Sequence, residues 1–126
     1  MTKVTVSTDC GNSPKKAFLK DFNIAFAAGK ADYILAHVAK DILWVIYGDK
    51  SLQGKRQFSL EINKMKNWAA DELILAAIIT HGKEASVSGE IKMAGKTYVF
   101  CDVYRFTTAS STIIKEMYSY VIKTNG

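Results

Sequence analysis

Asp102 is the residue whose setting most suggests chemistry. It lies in Thr-Tyr-Val-Phe-Cys-Asp-Val-Tyr-Arg-Phe, residues 97–106. A strand there puts Tyr98, Phe100, Asp102, Tyr104 and Phe106 on one face and Thr97, Val99, Cys101, Val103 and Arg105 on the other. A carboxyl among four aromatic rings must find a partner or keep its proton. Kept neutral by desolvation, it would donate a hydrogen bond to a ligand carbonyl or hydroxyl, or act as an acid. Held by a tyrosine hydroxyl or a lysine, it would only brace the sheet. Glu116 alternates with Tyr118 and Tyr120 in the last apolar stretch. Facing the same way as Asp102, it would supply a second carboxyl, one serving as acid and one as base. On the surface it would do neither.

The rest of the chemical inventory is thin. His37 stands near the end of a short helical pattern, and His81 in a His-Gly-Lys turn. The two histidines are far apart, and Cys10 and Cys101 are too distant for a zinc spacing or a disulfide framework. No metal site follows. No glycine-rich phosphate loop follows a strand and no serine sits in a nucleophile motif, so no cofactor is implied.

With 126 residues, 48% apolar and 23% charged, the chain suits one globular domain that needs neither metal nor disulfide to fold. Its net charge of +5 comes from lysines scattered in runs no longer than two. Single-strand binders carry a basic stripe with aromatics between, and none is present, so no nucleic-acid partner is expected. Apolar runs such as Leu73 to Ile79 are too short to cross a membrane, and the N-terminus lacks a signal-peptide core. The expectation is a cytoplasmic protein without a membrane partner.

Several elements can be read in order. Residues 1–12 are a polar leader, loosely attached or a short edge strand. Ser13-Pro14 starts a helix, with a hydroxyl cap before proline at the first position. Phe18, Phe22, Ala25 and Phe26 form its stripe, and Gly29 closes it. A short helix capped by Asp32 runs to Val38, then a strand over residues 41–47 with Trp44 and Ile46 on one face. Residues 51–54 read as a loop, and a third helix spans Lys55 to Trp68. Four strands follow: Leu73 to Thr80, Glu84 to Met93 with one wet side, the strand of Asp102, and Ile113 to Lys123.

Three helices around one early strand, then four antiparallel strands, resembles the nuclear transport factor 2-like superfamily, in its SnoaL-like and ketosteroid isomerase-like branch. Ala28-Gly-Lys-Ala-Asp32 looks like the break between the first two helices. Ala39-Lys-Asp-Ile-Leu-Trp44, followed by Gly54-Lys-Arg56, is similar to the first strand and the third-helix entry. Ile114-Lys-Glu-Met-Tyr-Ser-Tyr120 looks like the closing strand. The resemblance implies an α+β, cystatin-like cone: three N-terminal helices, with one early strand, packed on a strongly curved antiparallel sheet, in the order α-α-β-α-β-β-β-β. Residues 13–126 would form that single domain.

Asp102-Val-Tyr-Arg-Phe106 is similar to the ketosteroid isomerase strand that carries the oxyanion-hole aspartic acid, which implies that role for Asp102. The partner positions differ: Phe22 stands where the oxyanion tyrosine belongs, and Ile46 where the general base belongs. Isoleucine cannot take a proton, so steroid isomerisation is not expected. The implied cavity would be lined by Phe18, Phe22, Trp44, Ile46, Phe100, Tyr104, Tyr118 and Tyr120 around Asp102. The expected function is binding of a small hydrophobic or aromatic ligand. The alternative is a cofactor-free lyase, isomerase or hydrolase with Asp102 as acid and Glu116 or a histidine as base. Members of the superfamily usually pair through the outer sheet face, here Val99, Cys101, Val103, Met117 and Val121, which implies a homodimer.

Overall fold

The computed structural model describes residues 2–7, 9–67 and 69–124. Ser13 is extended, and its hydroxyl accepts a hydrogen bond from the Lys16 amide; proline follows at the first helical position of α1 (Pro14–Ala27). α1 buries Phe18, Leu19, Phe22 and Asn23. Gly29 ends the turn with φ +73°, and a Cβ there would lie 2.5 Å from the Lys66 carbonyl oxygen. Glycine is needed at this position both for its backbone angle and for its lack of bulk.

α2 (Ala31–Leu35) is shorter than expected and starts after Lys30, without a side-chain cap from Asp32. Val38 belongs instead to β2 (Val38–Ile46). With β1 (Lys3–Val6), β3 (Lys50–Gln53), α3 (Gly54–Met65), β4 (Glu72–His81), β5 (Glu84–Met93), β6 (Lys96–Phe106) and β7 (Ile114–Lys123), the described residues form three helices and one seven-stranded sheet. The expected element order is present, with two four-residue strands added. One of them, β3, replaces the expected loop: Ser51 and Leu52 pair with Val45 and Trp44. The third helix stops at Met65, and Trp68 lies outside the described residues.

The sheet runs β1-β4-β5-β6-β7-β2-β3. β4 to β7 are an antiparallel meander, as expected, but the sheet is mixed at its flanks. β1 joins β4, and β2 joins β7, in parallel. Parallel neighbours need long connections, and the intervening helices and strands supply them.

Curvature comes from bulges. The register shifts at Leu75/Ala77 in β4, at Arg105/Phe106 against β7, and between Val38 and Leu43 in β2. An extra residue at such a site bends the strand and reverses the inside-outside alternation beyond it. The inner face wraps α1 and α3, closing a core of Leu19, Phe22, Phe58, Ile62, Leu75, Val87, Tyr104 and Ile114.

Candidate functional site

A cavity of about 460 Å³ opens between the inner face of the sheet and helices α1 and α3. Phe26, Trp44, Ile46, Met65, Leu73, Ile91, Met93, Tyr98, Phe100, Met117 and Val121 form its apolar wall. Asn23, Asp102 and Ser119 add polar groups from α1, β6 and β7; Tyr47, Asp49 and Glu61 also contribute. Asn23 and Ser119 are buried, whereas Asp49 and Tyr47 are exposed, so the first group marks the deep end and the second the mouth.

Asp102 sits on the inner face of β6, opposite Val87 and Ser119. Part of its surface can be reached because the cavity admits solvent, yet protein surrounds it. Burial pushes its carboxyl up to about 6, and hydrogen bonds from Ser119 and Tyr104 pull it partly back. Desolvation raises Asp102, and the two hydroxyls favour its charged form.

The direction of those hydrogen bonds can be worked out from the groups involved. The Asn23 amide nitrogen donates to the Leu19 carbonyl at 2.9 Å. A carbonyl only accepts, which fixes the orientation of the amide. The same NH2 donates to the Tyr104 hydroxyl at 3.2 Å, and that hydroxyl donates to Asp102 Oδ2 at 3.4 Å. On the other side the Trp44 indole N–H, a donor only, donates to Ser119 Oγ at 2.9 Å. The Ser119 proton is then free for Asp102. Two donor chains, Asn23–Tyr104 and Trp44–Ser119, end on one carboxyl. Burial, and then the charge of Asp102, push the Tyr104 phenol well above its usual range, so it stays a donor.

Of the expected lining, Trp44, Ile46, Phe100 and Asp102 meet at the cavity. Phe18, Phe22 and Tyr104 lie behind the wall, in the core. Phe22 packs edge-on against Tyr104 with ring centroids 6.1 Å apart. Tyr118, Tyr120 and Glu116 are placed differently from the expectation. The bulge opposite Arg105/Phe106 shifts β7, so Ile114, Met117 and Ser119 point inward. Tyr118, Tyr120 and Glu116 fall on the outer face, where the Tyr118 hydroxyl donates to Glu116 and Arg105 lies 3.9 Å from the same carboxylate. The same inversion removes Met117 and Val121 from the outer face; Met117 is buried and Val121 lines the cavity.

Neither histidine reaches the cavity: His81 is exposed at the end of β4, and the His37 ring packs at a tilt against Tyr33 and Phe18. Glu116, His37 and His81 thus lie outside the cavity, whose carboxyls besides Asp102 are Asp49 and Glu61. Sequence reasoning missed Asn23 and Ser119. Their signal was a small polar residue at a core position, Asn23 beside the phenylalanine stripe and Ser119 between Met117 and Val121.

Among the described residues, no helix is long and apolar enough to cross a membrane, and no group of three or more histidine, cysteine or acidic side chains is placed to hold a metal.

No family profile matches the sequence, and no curated protein matches it. Solved structures do. A nuclear transport factor 2-like protein of unknown function from Burkholderia xenovorans superposes with a TM-score of 0.74 at 12% identity, over 89% of this chain and 85% of that one. One from Cytophaga hutchinsonii gives 0.66 at 23% identity, over 84% and 97%. An epoxide hydrolase of the LEH-like type from M. tuberculosis gives 0.69 at 14%, over 84% and 80%. At these identities the likeness is one of fold, and the chain has the fold of the nuclear transport factor 2-like proteins.

Proposed function

We propose that the protein binds a small hydrophobic or aromatic molecule inside the cone, with Asp102 orienting one polar group of the ligand. The observation that carries this reading is the cavity itself: an apolar and aromatic wall with a few convergent polar groups at its deep end. That is the usual composition of a small-molecule site. The acid-base alternative takes Glu116 or a histidine as its base, and none of these lines the cavity. N-phenyl-1-naphthylamine, whose fluorescence rises in apolar surroundings, should bind with a Kd in the micromolar range. Val121→Trp, which fills the cavity from a half-exposed strand position, should weaken that binding about tenfold or more while leaving the melting temperature nearly unchanged. Equal binding by the variant would place the probe elsewhere and count against the reading.

The protein is also proposed to work as a homodimer through the outer sheet face. Val99 and Ile122 pair directly there, 41% and 67% exposed, and Tyr120 and Ile79 lie on the same surface, 47% and 63% exposed. Tyr118, Tyr120 and Ile122 take the places expected for Met117 and Val121. A contiguous apolar face of this kind is disfavoured in water. Ile122→Glu should shift the dimer towards monomer, raising its dissociation constant roughly 100-fold in sedimentation experiments, since a charge is buried without a partner. A wild-type monomer at tens of micromolar would contradict the proposal.

A further inference from the structure

The cavity wall carries three carboxyls, Asp49, Glu61 and Asp102, and among the described residues lining it there is no lysine, arginine or histidine. Composition does not explain this, because the chain as a whole holds 17 bases against 12 acids. Glu61 already has a partner in Lys50, at 3.3 Å. Asp102 forms no ion pair among the described residues, and its hydrogen-bond partners are the neutral hydroxyls of Tyr104 and Ser119.

Both donor chains run towards Asp102, and the hydroxyls at their ends favour its ionised form. The Trp44 indole has only a proton to give, and the Leu19 carbonyl holds the Asn23 amide in its donating orientation. The hydroxyls of Tyr104 and Ser119 thus favour the carboxylate form of Asp102, which is an acceptor. A ligand that meets this carboxylate donates to it, and the complement of an unpaired buried carboxylate is a donor carrying positive charge. A ligand carbonyl would meet the lone pairs of this carboxylate, and a ligand carboxylate would meet its like charge. The Phe26, Trp44 and Phe100 rings on the wall suit a cation as well as an apolar body.

We propose that the cavity selects a small amphiphilic amine, its ammonium group on Asp102 and its apolar body against Phe26, Trp44 and Phe100. This rests on the binding function proposed above and names its ligand class.

The test uses matched probes in isothermal titration at pH 7.5. Naphthyl, adamantyl and octyl bodies each carry an aminomethyl, a hydroxymethyl or a carboxylate head. The amine should bind at least about tenfold more tightly than the alcohol of the same body, with the carboxylate weakest. In Asp102→Asn the advantage of the amine should shrink to about twofold. In the unaltered protein it should shrink about tenfold as pH falls from 7.5 to 5, because a proton then competes with the ammonium for the carboxylate. The other titratable groups on this cavity are Tyr47 and Asp49 at the end of β2, Glu61 on α3, and Tyr98 on β6, with Tyr104 behind its wall. α1, β5 and β7 present Asn23, Val87 and Ser119 to Asp102, none of which titrates in this range. Running Asp102→Asn over the same pH range separates Asp102 from Asp49 and Glu61. Equal affinity for amine and alcohol, or an amine advantage that survives Asp102→Asn, would overturn the amine inference while leaving a binding cavity in place. Failure of every body with every head would remove the binding reading, and the inference with it.

Discussion

Asp102→Asn is expected to make the protein more stable at pH 7.5, by about 2 kcal/mol, and to leave stability nearly unchanged at pH 4. The carboxyl has an ordinary value of 3.8 when unfolded and about 6 when folded. Between those values the folded state holds a proton that the unfolded state has released, so stability falls as pH rises through this window. Above about pH 6 the cost is complete; below about pH 4 both states are protonated and it vanishes. A rise from 3.8 to about 6 costs the charged folded state roughly 3 kcal/mol. Asparagine gives part of this back, because only one of its two polar atoms can accept from Tyr104 and Ser119.

Urea denaturation of both proteins at the two pH values measures the effect, and the difference between them cancels the other carboxyls. If Asp102 were merely a brace for the sheet, the variant would be less stable at pH 7.5, by the loss of hydrogen bonds to a charged acceptor. A gain in stability together with a loss of amine affinity would mark a residue kept for binding at the expense of the fold.

Much of the fold could be read from local signals. Ser13-Pro14 carries its own cap, and β5 alternates Ala85, Val87, Gly89 and Ile91 against Ser86, Ser88 and Glu90. Asp102 stood out because a carboxylate at the inward parity of an aromatic strand needs explaining. The failures came where tertiary context decides. β3 is Lys-Ser-Leu-Gln, polar and four residues long, and becomes a strand only because β2 lies beside it.

In β7 both parities hold apolar groups: Ile114, Tyr118, Tyr120 and Ile122 on one, Met117 and Val121 on the other. Periodicity cannot choose between them, and the aromatic rings suggested the wrong face. Lys115 is the extra residue that settles the matter, since Arg105 pairs with Glu116 while Phe106 pairs with Ile114. A bulge of this kind leaves no mark in composition. Asn23 and Ser119 escaped notice for a different reason. Their value lies in what they donate to or accept from, across 81 and 75 residues of chain.

Gly89→Ala is expected to destabilise the protein by about 3 kcal/mol and to lower its melting temperature by roughly 10 °C. Gly89 is buried on the inner face of β5, between Val87 and Ile91, opposite Leu75 and Phe100. Its backbone is ordinary for a strand; the constraint is space. A Cβ there would be driven into the Ile74 carbonyl oxygen and against the Leu75 Cα, at 3.3 Å. Those atoms are backbone, next to the bulge that bends β4 over β5. A rotamer change cannot relieve the clash, so the strand pair must open. Leu73 and Ile91, paired across β4 and β5, line the cavity, and opening the pair would move both.

The variant should therefore lose probe affinity as well as stability, although position 89 does not itself line the cavity. Thermal melts and N-phenyl-1-naphthylamine titration measure the two effects on one sample, below the melting temperature. Loss of stability with unchanged affinity would mean that the bend and the cavity are independent. A neutral Gly89→Ala would mean that β4 relaxes freely at Leu75/Ala77, and that close approach at Gly89 is a result of the curvature and not one of its conditions.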